Sequence, residues 1–463
     1  MAKLKCSFLV IGAGPGGYVA AIRAGQLGVD TIIVEAGTLG GTCLNVGCIP
    51  SKAIIHAADE FEKAQNFSKQ NALGIKSAKP SIDLRRTIGW KDGIVEQLTN
   101  GVGTLLKKAK VKTVQGHARF LDGKTVQVTS TAGEHTEISA EHICIATGSA
   151  PVDLPNLPFG GSILTSTEAL SLDAVPETLA VIGAGYIGLE LGMAFAKLGA
   201  KVTLVEQADR ILPLYDQALS KPVEARLKEL KISVELRAKA TGHNDGQIEF
   251  NREDGTSARA TAHQVLVTVG RRPVTEGWGR ENLVIEMDGP FIRVDDQCRT
   301  AMSGIYAIGD VTGEPMLAHR AMAQGEMVAD IVSGQKRFWD KQVVPAICFT
   351  DPEIVSAGLS PEEAKVNDID IVTARFPLSA NGRSLAIERS DGFVRIVARR
   401  DNHLVLGIQA VGKGCAELAA GFGLAIEMGT RLEDIADTIH AHPTQGEALQ
   451  EAAMLALGRA LHI

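Results

Sequence analysis

Two copies of a Gly-x-Gly-x-x-Gly pattern constrain this 463-residue chain, because each copy lies between a short apolar run and a helical pattern. Such glycines permit a tight strand-to-helix turn and let a pyrophosphate approach the positively polarised N-terminus of the helix. In both copies the next strand ends at a glutamate, where a carboxylate meets the ribose hydroxyls of a bound dinucleotide. The repetition disfavours a turn used only for packing and predicts two Rossmann-like dinucleotide-binding units. The first unit contains Gly12, Gly14, Gly17 and Glu35, and the second contains Gly183, Gly185, Gly188 and Glu206.

The glutamate of the second copy, Glu206, also predicts which nicotinamide nucleotide this unit binds. A carboxylate at that position accepts a hydrogen bond from a ribose 2′-hydroxyl, but it repels the negative charge of a 2′-phosphate. We therefore expect the second unit to bind NAD rather than NADP.

Two cysteines, Cys43 and Cys48, lie in a glycine-rich segment that follows the first unit's second strand. On a regular helix, residues with this spacing point about 140° apart, whereas a disulfide needs its two Cα atoms within about 7 Å. Gly47 and Pro50 can distort the first helical turn and bring the sulfurs together. From the residues alone, a redox-active pair and two inert buried thiols are both open interpretations.

Composition excludes several other classes of function. Hydrophobic residues make up 45% of the chain and charged residues 22%, which is typical of a globular protein with ample core. The net charge of −7 argues against a nucleic-acid partner. No apolar run reaches the roughly 18 residues of a membrane span, and the run at residues 8–11 is too short for a signal peptide. We therefore expect a cytoplasmic protein that does not enter membranes, and we expect no metal site.

The order of the patterns predicts an α/β protein. An antiparallel meander at residues 113–139 is predicted to precede a separate buried strand at residues 141–146. A proline-rich connector at residues 151–176 and a polar segment at residues 334–345 mark domain boundaries, and an α+β domain is predicted beyond the second. The predicted helices are 51–66, 83–110, 415–428 and 446–460, and the predicted C-terminal strands are 354–358, 371–376, 393–399 and 404–411.

Four further segments carry a family resemblance, namely residues 40–52, 300–310, 316–319 and 440–444. With the two glycine motifs, they make the chain similar to the pyridine nucleotide–disulfide oxidoreductases over its whole length. The resemblance implies FAD in the first unit, NAD in the second, and a C-terminal α+β dimerisation domain that makes the protein a homodimer. The implied domains are 1–148 (FAD-binding), 149–272 (NAD-binding), 273–342 (central, completing the FAD site) and 343–463 (interface).

The resemblance also implies roles for individual residues. Cys43 is expected to exchange with a substrate dithiol, Cys48 to face the flavin, and Asp310 to hold the ribityl chain of the flavin. Tyr186 is expected either to cover the nicotinamide pocket or to serve in ordinary packing. The other implied cofactor contacts are Lys52, Gly116, Thr147, Gly148, Met316, Leu317 and Ala318 for FAD, and Gly270 for NAD.

A buried charge is predicted at Glu190, which lies in a strongly apolar helical pattern. A carboxylate there is unfavourable unless it has a partner. We expect it to pair with Lys52 beside the flavin, as in the family. A favourable interaction of Glu190 with the helix N-terminus is the alternative.

His442 and Glu447 are the expected catalytic base and its orienting carboxylate. Thiol–disulfide exchange needs a base that converts a thiol to a thiolate, and histidine titrates in the right range. Thr444 and Glu447 also fit a capping box that opens the last helix, and capping does not exclude orienting His442. His440 is expected to have a structural role.

Within the family, the chain most resembles members that oxidise dihydrolipoyl groups of 2-oxo acid dehydrogenase complexes and pass hydride to NAD⁺. The expected partner is a lipoyl domain of the acyltransferase component, and residues 349–353, 399–403 and 460–463 resemble the form that serves the branched-chain complex. Glutathione- or mercuric-reductase-like activity is the alternative, disfavoured by Glu206 and by the lack of cysteines after Cys415. A non-catalytic flavoprotein subunit is disfavoured by the intact cysteine and histidine–glutamate pairs.

Overall fold

The computed structural model describes residues 2–463 and opens with a strand–helix–strand unit around the first glycine turn. The elements of this part are β1 (Ala2–Ile11), α1 (Pro15–Gln26), β2 (Thr31–Glu35), α2 (Gly41–Asn45), α3 (Cys48–Phe67), α4 (Leu84–Lys108), β3 (Lys112–Gln115), β4 (His117–Phe120), β5 (Thr125–Thr129) and β6 (His135–Ile145). The strands form one mixed sheet in the order β3-β2-β1-β6-β5-β4. Residues 8–11 of β1 are buried and pair with parallel strands on both sides, as their continuous apolar pattern predicts.

The predicted antiparallel meander is confirmed by β4, β5 and β6. Residues 135–145 form the single strand β6, so the prediction that 141–146 is a separate strand was wrong. The first half of β6 pairs antiparallel with β5, and its burial roughly alternates. Residues 143–145 are fully buried between parallel strands. The sequence pattern changes within β6 because its neighbours change, while the backbone continues without a break.

The second glycine turn repeats the first. Its part of the chain contains β7 (Ser149–Pro151), β8 (Ile163–Leu164), α5 (Ser166–Ala169), β9 (Thr178–Ile182), α6 (Tyr186–Leu198), β10 (Lys201–Val205), α7 (Gln217–Glu229), β11 (Ser233–Glu235), β12 (Ala238–Asn244), β13 (Gln247–Arg252), β14 (Ser257–Thr261), β15 (Gln264–Val267) and β16 (Arg271–Pro273). A parallel sheet has the order β11-β10-β9-β15-β8, and β12, β13 and β14 form a separate antiparallel sheet. The antiparallel pair β7 and β16 connects this part to the first one.

The chain then returns to the first sheet. The next elements are β17 (Met287–Asp288), β18 (Phe291–Ile292), β19 (Ile305–Ala307) and α8 (Ala318–Val332). β19 lies parallel to β6 and extends the first sheet to seven strands. α8 packs along α1, where Arg23 Nε lies 2.9 Å from Oδ1 of the buried Asp330. The segment from β17 to α8, which follows the second unit and precedes the C-terminal part, therefore completes the first unit.

The C-terminal part is the predicted α+β structure. It contains β20 (Ala346–Cys348), β21 (Glu353–Gly358), α9 (Pro361–Val366), β22 (Ile371–Pro377), α10 (Gly382–Ala386), β23 (Phe393–Arg399), β24 (Val405–Gly412), α11 (Ala419–Glu427), α12 (Leu432–Asp437) and α13 (Glu447–Ala456). Its antiparallel sheet has the order β20-β21-β24-β23-β22. The last helix ends four residues earlier than predicted, at Ala456. Within residues 2–463, no helix is both long enough and apolar enough to span a membrane.

Candidate active site

The cysteine pair lies at a break between two helices. Cys43 belongs to α2 and Cys48 is the first residue of α3, with Gly47 between them in a non-helical conformation (φ −137°, ψ −109°). This break removes the angular separation that a continuous helix would impose, and each thiol is close enough to shift the pKa of the other. Helix α3 begins earlier than the predicted residue 51, so Cys48 and Lys52 lie one turn apart on the same face.

The two thiols differ in acidity. The hydrogen bond with Cys43 is the main factor that lowers the pKa of Cys48 to about 7, while burial opposes this shift and the charge of Lys52 supports it. The same hydrogen bond and burial raise the pKa of Cys43. Near neutral pH the negative charge of the reduced pair therefore resides on Cys48.

Glu190 and Lys52 form the ion pair that the sequence predicts. Glu190 is buried on α6, and its Oε2 lies 2.8 Å from Nζ of Lys52. The other oxygen, Oε1, accepts the backbone N–H of Phe349 at 2.8 Å. The carboxylate thus has partners from α3 and from the segment after β20. These partners, and not the N-terminus of its own helix α6, compensate for its burial.

A cavity of about 860 Å³ connects the glycine turn of the first unit with the cysteine pair and the ion pair. Its volume is in the range of cofactor-binding sites. Leu317, the residue before α8, does not line the cavity, although the residues on either side of it do. The predicted residues that line the cavity are Gly12, Gly14, Gly17, Glu35, Cys43, Cys48, Lys52, Gly116, Thr147, Gly148, Tyr186, Glu190, Asp310, Met316 and Ala318.

The glycines divide into two classes that test whether a dinucleotide fits. A Cβ added at Gly17 would lie 1.9 Å from the backbone oxygen of Gly12, so this position requires glycine for packing. A Cβ added at Gly14 would meet nothing within 4 Å, although Gly14 directly precedes α1. The second unit shows the same division at Gly188 and Gly185. The open space at both helix N-termini fits a pyrophosphate.

Glu35 and Glu206 occupy equivalent positions. Each carboxylate accepts the N–H of the residue after the first motif glycine, Ala13 or Ala184, at 2.6 Å. Each also accepts a second backbone N–H, at 2.7 Å, from the residue two positions further along the chain. The two acids are therefore fixed beside their glycine turns. Gly270, which follows β15, has a positive φ of 128° near the second turn.

Asp310 is held by residues that sequence patterns did not single out. Oγ of Ser149 donates to Oδ2 of Asp310 at 2.5 Å, and Nε of Arg271 donates to Oγ of Ser149 at 2.8 Å. Ser149 and Arg271 belong to the paired strands β7 and β16 and line the cavity. The Arg271–Ser149 bond spans 122 positions of the sequence and the Ser149–Asp310 bond spans 161 positions, so no local sequence pattern indicates them.

His442 and Glu447 also pair, but away from the cavity. Nδ1 of His442 lies 2.8 Å from Oε1 of Glu447, and the His442 side chain is 79% exposed. Neither residue lines the cavity within the described chain. Only half of the predicted capping box forms, in which Oε2 of Glu447 accepts the N–H of Thr444 at 2.7 Å. Helix α13 begins at Glu447, with Gly446 before it, and the Thr444 hydroxyl donates to the carbonyl of Ala441 instead of accepting the Glu447 N–H.

Comparison with known proteins agrees with this architecture. The pyridine nucleotide–disulphide oxidoreductase profile matches residues 7–325, and the dimerisation domain of the same family matches residues 344–453. The chain belongs to this family of oxidoreductases. FAD and NAD are the cofactors of its enzymes, and the C-terminal part is the family's dimerisation domain.

Relatives in the oxidoreductase family cover nearly the whole chain. The dihydrolipoyl dehydrogenase of Pseudomonas aeruginosa is 56% identical over 460 residues, covering 99% of each chain. That of Geobacillus stearothermophilus is 46% identical, covering 99% of this chain and 98% of its own. Among solved structures, LpdA from Mycobacterium tuberculosis has a TM-score of 0.89 at 27% identity, covering 97% of this chain and 99% of its own. The HOCl-induced flavoprotein disulfide reductase RclA from Escherichia coli has a TM-score of 0.86 at 25% identity, with coverage of 97% and 99%.

Proposed function

We propose that this protein is a dihydrolipoyl dehydrogenase that oxidises dihydrolipoyl groups and transfers their electrons to NAD⁺. The observation that carries the proposal is the cavity that joins the Cys43–Cys48 pair to a dinucleotide-type glycine turn. The relatives of that name, at up to 56% identity over the full chain, support it. FAD, when bound in this cavity, supplies the two-electron acceptor between the dithiol and NAD⁺.

The cysteine pair performs the thiol chemistry in this proposal. In the oxidised enzyme, one thiolate of the dihydrolipoyl group attacks Sγ of Cys43, and the Cys43–Cys48 bond breaks with the electron pair leaving on Cys48. The second lipoyl thiolate then attacks the lipoyl sulfur that is bonded to Cys43 in the mixed disulfide. This attack closes the lipoyl ring and releases Cys43 as a thiolate. The low pKa of Cys48 makes it a good leaving group, and Lys52 stabilises the resulting negative charge.

The two protons of the substrate thiols need an acceptor, and we assign this role to His442 of the partner subunit. Within one chain the exposed His442 does not line the cavity that holds Cys48, yet it lies in the dimerisation domain. A homodimer that closes each cavity with the His442–Glu447 pair of the other chain would unite the two halves of the site. A symmetric dimer would then contain two equivalent shared sites.

NAD⁺ is assigned to the second unit, with Gly185 facing the pyrophosphate, Glu206 the ribose and Gly270 at the edge of the site. Tyr186, which lines the cavity from the second unit, is assigned to the boundary between nicotinamide and flavin. A lipoyl domain of an acyltransferase component is the proposed protein partner. Service to the branched-chain complex, a cytoplasmic location and the domain boundaries given above remain predictions.

A comparison of substrates in separate assays tests the proposed function. The purified FAD-loaded protein should reduce NAD⁺ rapidly with dihydrolipoamide. It should oxidise NADPH slowly or not at all with glutathione disulfide or with Hg²⁺, the substrates of the alternative reductases. No NAD⁺ reduction with dihydrolipoamide, or faster NADPH oxidation with glutathione disulfide or Hg²⁺, would overturn the assignment. Anaerobic NADH is the check against a non-catalytic flavoprotein, for which the flavin absorbance would stay unchanged.

A further inference from the structure

Phe349 contacts both members of the ion pair beside the cysteines. Its backbone N–H donates to Oε1 of Glu190 at 2.8 Å, and Nζ of Lys52 lies 4.6 Å from the centre of its ring. Nζ of Lys52 also lies 2.8 Å from Oε2 of Glu190. Each of the three residues therefore contacts the other two. A cation within about 6 Å of an aromatic face is attracted by the electrons of the ring.

The segment that carries Phe349 is anchored two residues further on. Asp351 is buried, and its Oδ2 lies 2.6 Å from Nζ of Lys197 and 2.9 Å from Nε of Arg226. Lys197 belongs to α6, the helix that also carries Glu190. The segment is thus tied to α6 at two points, and this fixes the Phe349 ring relative to Glu190.

Lys52 connects this arrangement to the reactive thiol. Cys48 and Lys52 lie one turn apart on α3, so the ammonium group is close to the sulfur. The charge of Lys52 favours the Cys48 thiolate, and the charge of Glu190 opposes it. The position of Nζ therefore determines how much of its charge the thiolate experiences.

We propose that Phe349 is a positioning residue for the dithiol reaction, in which its ring holds the Lys52 ammonium group in the place where it stabilises the thiolate of Cys48. This inference rests on the proposed function only in treating Cys48 as a redox thiol. The proposal requires that the aromatic face of Phe349 holds the ammonium group, and that an apolar side chain of similar volume cannot replace it.

Two substitutions separate the ring from the volume. Phe349→Leu keeps apolar bulk and the backbone N–H to Glu190 but removes the aromatic face, whereas Phe349→Tyr keeps the face. The readout is the pH dependence of iodoacetamide alkylation of Cys48 in the reduced, FAD-loaded protein, followed by mass spectrometry of the Cys48 peptide. The charged and titratable groups near this thiol are Cys43, Lys52, Glu190 and Tyr186.

Phe349→Leu is expected to move the midpoint of this profile upward by about 0.3 to 1 pH unit, because a cation–π contact shifts equilibria by about 2- to 10-fold. Phe349→Tyr should follow the unmodified protein. The matched control is Phe338→Leu, which alters an exposed phenylalanine outside the site and should leave the profile unchanged. An unchanged profile in Phe349→Leu, even with lower thermal stability, would mean that Phe349 only packs.

A double substitution tests whether Phe349 acts through Lys52. Lys52→Gln removes the charge, so adding Phe349→Leu to it should produce no further shift of the Cys48 midpoint. The same additional shift in both backgrounds would overturn the proposal. If the unmodified protein fails to oxidise dihydrolipoamide, the proposed function fails, but the alkylation profiles still decide the role of Phe349.

Discussion

Nδ1 of His442 lies 2.8 Å from Oε1 of Glu447, and the other oxygen of this carboxylate, Oε2, accepts the N–H of Thr444 at 2.7 Å. One oxygen therefore orients the imidazole, and the other holds the backbone just before α13. A ring whose Nδ1–H is bound in this way presents Nε2 as a proton acceptor. The relationship gives an exposed histidine the fixed orientation that a catalytic base needs.

Glu447→Gln should lower kcat with dihydrolipoamide by at least about 10-fold, because the amide cannot stabilise the imidazolium that forms when His442 accepts a proton. Burial alone would raise the pKa of Glu447, but the Thr444 N–H and His442 outweigh it and lower the pKa. The carboxylate is therefore ionised throughout the neutral range, and the defect should persist at all pH values above about 5. Glu433→Gln, which alters a similar pair with His403, is the control and should leave kcat unchanged.

Gly14→Ala and Gly185→Ala should separate the two nucleotide sites. Both positions have space for a Cβ in the protein itself, so both variants should fold with nearly unchanged thermal stability. Gly14→Ala should weaken FAD binding, measured by flavin release on dilution. Gly185→Ala should keep FAD and raise the KM for NAD⁺. Gly17→Ala is the contrasting case, since its Cβ would lie 1.9 Å from a backbone oxygen, and it should lose stability. Full FAD retention in Gly14→Ala would contradict the assignment.

Turnover with NAD⁺ should greatly exceed turnover with NADP⁺, because Glu206 is fixed by two backbone N–H groups where a 2′-phosphate would have to lie. Glu206→Ser combined with Gln207→Arg should narrow the ratio of the two kcat/KM values. Gln207→Arg alone serves as the control and should change the ratio less. Equal turnover with both nucleotides in the unmodified protein would refute this account of specificity.

Asp351→Asn should lower the free energy of unfolding by about 3 kcal/mol, because it leaves buried cations without their partner. Burial alone would raise the pKa of Asp351, but Lys197, Arg389 and Arg226 together lower it well below its usual range. A carboxylate with a lowered folded-state pKa contributes its full stability above its unfolded value of about 4. The difference from the unmodified protein, measured by urea unfolding, should be constant from pH 5 to 7 and shrink as the pH falls below about 4.

Asp370→Asn is the matched control for this experiment, because Asp370 pairs with Arg400 on the surface, where both side chains are largely exposed. Exposed pairs contribute little to stability. If the two variants have the same stability, the ion cluster around Asp351 does not hold the segment of Phe349 in place.

Much of the site was predictable because the signals are local. The glycine turns and their closing acids are fixed by the geometry of one strand–helix–strand unit, and the structure places Glu35 and Glu206 beside those turns. The partner of Glu190 was predictable because a buried carboxylate requires a cation, and the family resemblance indicated Lys52.

Other features depend on contacts that no local pattern records. The N–H of Phe349 and the carboxylate of Glu190 are 159 positions apart, and the Ser149–Asp310 bond joins β7 to the segment that follows β19. The cap before α13 was only half predictable, because Thr444 and Glu447 fit the capping motif in sequence, while the Thr444 hydroxyl binds Ala441 in the structure.

The central claim is that a cysteine pair and a histidine from different chains act on one dihydrolipoyl group. Its most direct test mixes two inactive variants, Cys48→Ser and His442→Ala, under conditions that exchange subunits, and measures dihydrolipoamide-dependent NAD⁺ reduction. Cys48→Ser alone should retain FAD and slow NADH oxidation by artificial acceptors. In a hybrid dimer with shared sites, one site carries both lesions and the other carries none, so about half of the activity of an unmodified dimer should return. Verified subunit exchange without recovered activity would contradict the account.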